Sequence, residues 1–181
     1  MNELKISNFL NENKSDKCHY GHNYQFVYND LFSKYHRDGA IDILESGIAQ
    51  GGSLCAWKEY FPNAHVTGVD IVDTRLPQFI RDNVEFIVAD IKDYVPDRAF
   101  DIIIEDGNHS NHDALWSALN LSKHLKSGGT LVIEDVQESY ILPFVLWGRL
   151  NGKFIVSTTD LRRLNSRHDD FLVVIKKIDG E

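Results

Sequence analysis

The stretch Ile41-Asp-Ile-Leu-Glu-Ser-Gly-Ile-Ala-Gln-Gly-Gly-Ser-Leu-Cys-Ala-Trp57 decides the fold. It starts as a short apolar run, Ile41–Glu45, passes through Gly47, Gly51 and Gly52, and continues as a helical segment. A strand that stops at glycines and resumes as a helix is the tight turn that opens doubly wound α/β folds. Glycine is needed there wherever φ turns positive, or wherever a ligand comes too near to tolerate a Cβ. Glu45 stands at the strand's carboxyl end, the edge on which open α/β sheets bind their ligands. The spacing is not G-x-G-x-x-G, which weakens a dinucleotide enzyme as a reading.

Upstream, the first fifteen residues are polar and read as a helix or a loose arm, followed by the polar and aromatic segment Ser15–Tyr24. Phe26, Val27, Leu31 and Phe32 recur at helical spacing between Tyr24 and Tyr35. Downstream, strand and helix alternate. Strands are expected at Val66–Asp70, Val84–Val88, Phe100–Glu105 and Thr130–Ile133, with two more at Phe154–Ser157 and Phe171–Ile175. Helices are expected at Ser53–Tyr60, Asn111–Leu125 (stopped by Gly128-Gly129) and Ile141–Leu150, and Thr158–Asp170 reads as an exposed loop or hairpin tip. The alternation predicts a single α/β domain over residues 1–181, with 1–38 as an N-terminal helical segment. Its sheet is Rossmann-like, mainly parallel and seven-stranded, with an antiparallel C-terminal strand.

With 27 acids against 19 bases the net charge is −8, and no long basic run builds the positive surface that nucleic acid demands. No apolar run approaches the ~20 residues of a membrane span, and Met-Asn-Glu-Leu-Lys lacks a signal peptide's apolar segment. A cytoplasmic protein is expected. Cys18 and Cys55 have neither metal-site nor disulfide spacing and read as free thiols.

Successive strands end in acids: Glu45, Asp70, Asp90, then Asp106 and Asp135. In a parallel sheet these gather on one edge and repel one another unless a cation or hydrogen-bond donors bind there. Asp70, ending the second strand past the glycines, suits the two hydroxyls of a ribose. Asp90 suits the exocyclic amine of adenine. Asp106 and Asp135 fall on neighbouring strand ends, a pairing suited to one hard cation such as Mg²⁺. His109, three residues beyond Asp106, is placed to act as a base. His112 lies one helical turn further and is given no role.

These residues carry a resemblance. Ser15-Asp16-Lys17 with His22, Tyr24 and Tyr28; Leu44-Glu45-Ser46-Gly47 through Gly51-Gly52-Ser53-Leu54; Trp57–Pro62; Gly68–Ile71; Asp101–His109; and Val132–Asp135 with Ser139-Tyr140 resemble one family. It is that of the metal-dependent sugar O-methyltransferases of antibiotic biosynthesis, of the mycinamicin, macrocin and rhamnosyl-tetracenomycin type, within the class I S-adenosylmethionine (SAM) methyltransferases. The likeness covers most of residues 15–140. Glu105 departs from it, standing where a second aspartate is expected.

The resemblance implies SAM as methyl donor, Mg²⁺ at Asp106 and Asp135, and catalysis by His109 and Asp106. It implies cofactor contacts from Glu45, Gly47, Gly51, Ser53, Asp70, Asp90, Asp106, Lys17 and Tyr24, with the segment Asp16–Tyr24 closing over the site. The acceptor it implies is a sugar or glycosylated small molecule, with no nucleic-acid or membrane partner and a homo-oligomer as an option. A catechol or phenol O-methyltransferase fits the metal pair equally well, and a non-catalytic SAM-binding module is the remaining alternative.

Overall fold

The computed structural model describes residues 5–180 apart from 20, 74, 75, 166 and 167, and leaves aside the side chains of Asn111 and Asn165. Two short helices come first, α1 (Ile6–Glu12) and α2 (Gln25–Phe32). The alternating part follows: β1 (Asp42–Ser46), α3 (Gly52–Tyr60), β2 (His65–Asp70), α4 (Gln78–Arg81), β3 (Glu85–Val88), β4 (Phe100–Glu105), α5 (Asn111–Leu121) and β5 (Leu125–Ile133). The chain closes with α6 (Ile141–Asn151), β6 (Phe154–Asp160), α7 (Arg162–Asn165) and β7 (Phe171–Lys177).

The strands form one seven-stranded sheet in the order β3-β2-β1-β4-β5-β7-β6. β1 to β5 are parallel, and β7 is antiparallel to both β5 and β6. Side chains alternate across a strand, so each strand feeds two cores. Ile43, Ile102, Ile104 and Val132 pack on one face with α1, α2 and α3. Leu44, Ile103, Leu131 and Ile133 pack on the other with α5 and α6. The two central strands β1 and β4 are buried on both faces, which is why they read as unbroken apolar runs.

The structure alters or decides three expectations. The helix after β4 ends at Leu121 and gives way to a 3₁₀ turn, Ser122–His124. Gly128-Gly129 therefore does not stop that helix; it lies inside β5, beside a register shift against Phe100 and Ile102. A Cβ on Gly129 would come 3.0 Å from the Phe100 carbonyl oxygen, so the glycine is there for close strand approach. Second, of the two readings of Thr158–Asp170 the hairpin one holds, since β6 and β7 pair antiparallel across it; but β6 runs on to Asp160, α7 follows, and Asp170 is fully buried. Third, of the two readings of the N-terminal stretch the helix holds, as α1 with Ile6 and Leu10 in the core; its residues 1–4 lie outside the described residues. Cys18 and Cys55 are buried free thiols, as expected. Among the described residues no helix is long and apolar enough to cross a membrane.

The β1–α3 turn shows what its glycines are for. Gly47 has φ 75° and its Cβ position lies 2.0 Å from the Asp106 carbonyl oxygen, so the loops after β1 and β4 touch backbone to backbone. Gly47→Ala should therefore lose about 3 kcal/mol or more, from steric overlap added to a left-handed φ. Gly152→Ala, at φ 70° with nothing within 4 Å, should lose only the conformational ~1–2 kcal/mol. Urea denaturation of both variants checks this; equal losses would contradict it.

Candidate active site

A cavity of about 470 Å³ opens where the parallel strands end. Gly47, Asp70, Asp90, Asp106, His109 and Asp135 all line it. The remaining predicted residues, Glu45, Gly51, Ser53, Lys17 and Tyr24, lie behind its wall. Parity accounts for the split at β1. Glu45 shares the Ile43 side of the sheet and points at α3, where its carboxylate accepts from Ser53 Oγ (2.7 Å) and Trp57 Nε1 (2.6 Å). Ser53 and Trp57 sit four apart on one face of α3, so a single carboxylate meets both. Glu45 and Ser53, expected as cofactor contacts, thus hydrogen-bond each other within the fold. Gly51 is also a packing residue, its Cβ position 2.4 Å from Leu76 Cδ2.

Lys17 makes contacts that the sequence reading did not include. Its side chain is 1% exposed, and its ammonium reaches Asp106 Oδ2 at 2.5 Å, Glu134 Oε2 at 3.0 Å and Glu45 Oε1 at 3.3 Å. Burial alone would lower its pKa, but Asp106, Glu134 and Glu45 together outweigh that and hold it well above the usual lysine range. Lys17 is a buried counter-ion to three acids. Tyr24 and Tyr28 act in the same way as donors, to Asp135 Oδ1 and Glu134 Oε1. Burial first, then the neighbouring carboxylate, pushes each phenol's pKa up, so both remain donors.

Each aspartate of the expected metal pair is thus held by one oxygen. Asp106 gives Oδ2 to Lys17 and Asp135 gives Oδ1 to Tyr24. Asp135 has φ 53°, an uncommon conformation for a non-glycine residue. The turn is fixed on both sides, by Glu134 N donating to Glu105 O (3.0 Å) and Val136 N donating to Phe171 O (3.1 Å). His109 is half exposed, its Nδ1 3.5 Å from Asp135 Oδ2. One ligand atom from each of Asp106, His109 and Asp135 falls within 4.8 Å of the others. Burial raises Asp106 to about 6 despite Lys17, and burial, then Asp106, raises Glu105 to about 8.

The cavity-lining acids at or just past the ends of β2 and β3 are partly engaged as well. Asp70 accepts from Ile48 N and Val72 N, each at 3.0 Å, and Asp90 accepts from Lys92 N at 2.9 Å. Asp16 and His22 line the mouth from the N-terminal segment. His22 Nδ1 lies 2.7 Å from Asp170 Oδ1, a pairing the sequence reading missed. An acid directly preceding the apolar strand Phe-Leu-Val-Val-Ile was the available signal. His112 lies near Tyr140, ring centroids 6.5 Å apart.

A family model described as a methyltransferase domain matches residues 44–136, just over half of the chain. The chain belongs to this methyltransferase family. L-olivosyl-oleandolide 3-O-methyltransferase of Streptomyces antibioticus is 39% identical over 119 residues, covering 58% of this chain and 30% of its own. Mycinamicin VI 2''-O-methyltransferase of Micromonospora griseorubida is 34% identical over 128 residues, covering 62% and 31%. The chain thus spans about a third of the length of these curated relatives. Among solved structures, the MycE methyltransferase of the mycinamycin pathway, in complex with Mg, SAH and mycinamycin VI, superposes with TM-score 0.76. It is 23% identical, over 99% of this chain and 56% of that one. The fold of this methyltransferase-family chain is therefore the Rossmann-like one expected, with β7 as its antiparallel strand.

The buried ammonium can be tested by removal. Lys17→Met should cost about 3–5 kcal/mol, because it leaves buried carboxylates without a counter-ion. Carboxyls whose folded pKa exceeds the unfolded value of about 4 destabilise the fold as pH rises. Removing Lys17 takes away the charge that lowers Asp106 and Glu134. The deficit should therefore be larger at pH 8 than at pH 5, read from urea midpoints; a deficit independent of pH would contradict this account.

Proposed function

We propose that this chain is a SAM-dependent, Mg²⁺-assisted O-methyltransferase domain acting on a hydroxyl of a sugar or glycosylated small molecule. The observation that carries the reading is the meeting of Asp106, His109 and Asp135 at one end of a cavity whose other end is lined by Asp70 and Asp90. Family membership supports methyl transfer. The named activities of the curated relatives, sugar O-methylations of antibiotics, support the acceptor class. The MycE complex with Mg and SAH supports the metal and the donor.

The donor set fits a hard cation. Two carboxylates fixed by Lys17 and Tyr24 each keep an oxygen toward the cavity, and Mg²⁺ is usually held by one or two carboxylates plus water and substrate. Asp106 and Asp135 would hold the ion, which when bound lowers the pKa of an adjacent hydroxyl. Asp70 would accept from the ribose hydroxyls of the donor, and Asp90 from the adenine amine. His109 would take the proton of the attacking hydroxyl at Nε2, with Nδ1 turned toward Asp135. The sulfonium is already reactive, so the protein's task is to align it with the hydroxyl and take up the proton. Asp16 and His22 stand at the mouth, where an acceptor would enter.

Two expected outcomes test this reading. Exhaustive chelation with EDTA should abolish methyl transfer while largely sparing S-adenosylhomocysteine binding, and Asp135→Asn should do the same; full activity in either case would sink the metal assignment. His109→Ala should lower kcat by roughly 10²–10⁴-fold, the usual worth of general acid–base catalysis, with donor and metal affinity nearly intact. Rescue of that variant by saturating Mg²⁺ would instead make His109 a ligand or scaffold for the metal.

A further inference from the structure

The two edges of the sheet are built differently. β3, at one edge, is four residues long and begins with an exposed acid, Glu85. β6, at the other, is seven residues long and pairs with β7 along its whole length without a register shift. It contains no proline, and its only charge is the terminal Asp160. An edge strand presents a row of unpaired N–H and C=O groups, which proteins ordinarily blunt by shortness, proline, bulges or inward charge. β6 has none of these.

The direction of its free groups follows from the two ends of its ladder with β7. Lys153 O accepts from Ile178 N at 3.0 Å, and Leu161 N donates to Asp170 O at 2.9 Å. Backbone groups alternate in direction along an antiparallel strand, so the odd-numbered residues bond to β7. The N–H and C=O groups of Phe154, Val156, Thr158 and Asp160 therefore point away from the sheet. No strand among the described residues pairs with them.

Apolar surface adjoins this edge. α6 lies on β6, with Trp147 stacked on Phe154 at 5.2 Å between centroids and Gly148 so close to Val156 that a Cβ would overlap it. Leu142, Leu146 and Leu150 recur at helical spacing on the outer side of α6, 63%, 47% and 86% exposed. Ile155, on the opposite face of the sheet from α6, is 61% exposed. Apolar groups gathered like this mark a surface that another molecule covers. Its charge suggests which molecule. Residues 141–160 carry only Arg149, Lys153 and Asp160, in a chain of net charge −8, so two copies repel least here. Antiparallel pairing also sets the Lys153 end of each strand beside the Asp160 end of the other.

We propose that β6 pairs antiparallel with β6 of a second copy of this chain, joining the two sheets into one. A twofold axis perpendicular to the sheet keeps each face on its own side. The two α6 helices then flank the junction on one face, with Leu146 and Leu150 within reach of their counterparts, and the two Ile155 side chains flank it on the other. An extended peptide would fill the same edge but leave the leucines in water; a second copy brings its own α6 to cover them. The parallel strands of the two copies run in opposite directions, so the two cavities open at opposite edges of the joined sheet.

Sedimentation equilibrium of the full chain at micromolar concentration should give the mass of two copies. Thr158→Pro removes one outward N–H without touching the β7 ladder, and Leu146→Lys combined with Leu150→Lys sets like charges where the helices meet. Each variant should sediment as a single copy with its circular dichroism unchanged. Amide exchange reads the same edge without a variant. In the concentrated wild-type protein Val156 and Thr158 should be protected like Ile155 and Ser157, and should lose that protection on dilution while the odd residues keep it. A wild-type chain of single-copy mass, or a dimer whose Val156 and Thr158 amides exchange freely, would overturn the proposal. So would a dimer that persists in the leucine variant or in folded Thr158→Pro.

Discussion

The ammonium of Lys17 is the constraint on which the rest of the site depends. Three carboxylates from three parallel strands, Glu45, Asp106 and Glu134, converge on it in a place closed to solvent. Without a cation such a group of charges would protonate or force the strand ends apart. With it, the strands end in register and Asp106 keeps a fixed oxygen toward the cavity. Burial first, then the neighbouring Asp106, holds the Glu134 carboxyl above the usual range despite Lys17. Tyr28 supplies a further hydrogen bond to Glu134.

The acids at the sheet edge therefore divide into two groups by parity rather than by sequence position. Glu45, Glu134 and one oxygen of Asp106 belong to the fold. Asp70, Asp90, Glu105, Asp135 and the other oxygen of Asp106 face the cavity. Neighbours in sequence land in opposite groups because a strand turns successive side chains to opposite faces. Glu45 and Ser46 are one such pair. The protein secures each cavity-facing aspartate of the candidate metal pair by one oxygen, which orients it before any ligand arrives.

Much of this was legible in the sequence. The order of strands and helices followed from apolar runs punctuated by glycine, and the acid at each strand end marked the ligand edge. The Asp106–His109 and Asp135 combination was visible because its residues sit at strand termini, where position alone fixes location. What stayed hidden depends on contacts between distant parts of the chain. Lys17 looked like any lysine in a polar segment until three strands placed acids around it. Asp170 lay in a charged stretch that reads as loop, yet His22 draws it fully inside. Gly128-Gly129 had the signature of a helix stop, but the strand pairing with β4 required small residues at that point. In each case tertiary packing overrode a local pattern that was itself correctly read.

The sequence separations in these contacts link folding to binding. Lys17 meets Asp106 across 89 residues, Tyr24 meets Asp135 across 111, and His22 meets Asp170 across 148. A site built from such contacts has no counterpart in the unfolded chain, since every one of them requires the sheet to be complete. Ligands of the folded site therefore have nothing equivalent to bind in the unfolded state, and their binding free energy adds directly to stability. The N-terminal segment is the part of the chain through which this coupling runs. It adds no strand to the sheet, yet it brings the cation, the histidine and the two phenols that hold the acids of β1, β4 and β5 in place. A substitution at Lys17 would thus act on the fold and on the metal pair together. Glu45, which pairs with Lys17, and Ser46, which lines the cavity, are adjacent along β1, and the pleat of that single strand turns them to opposite faces.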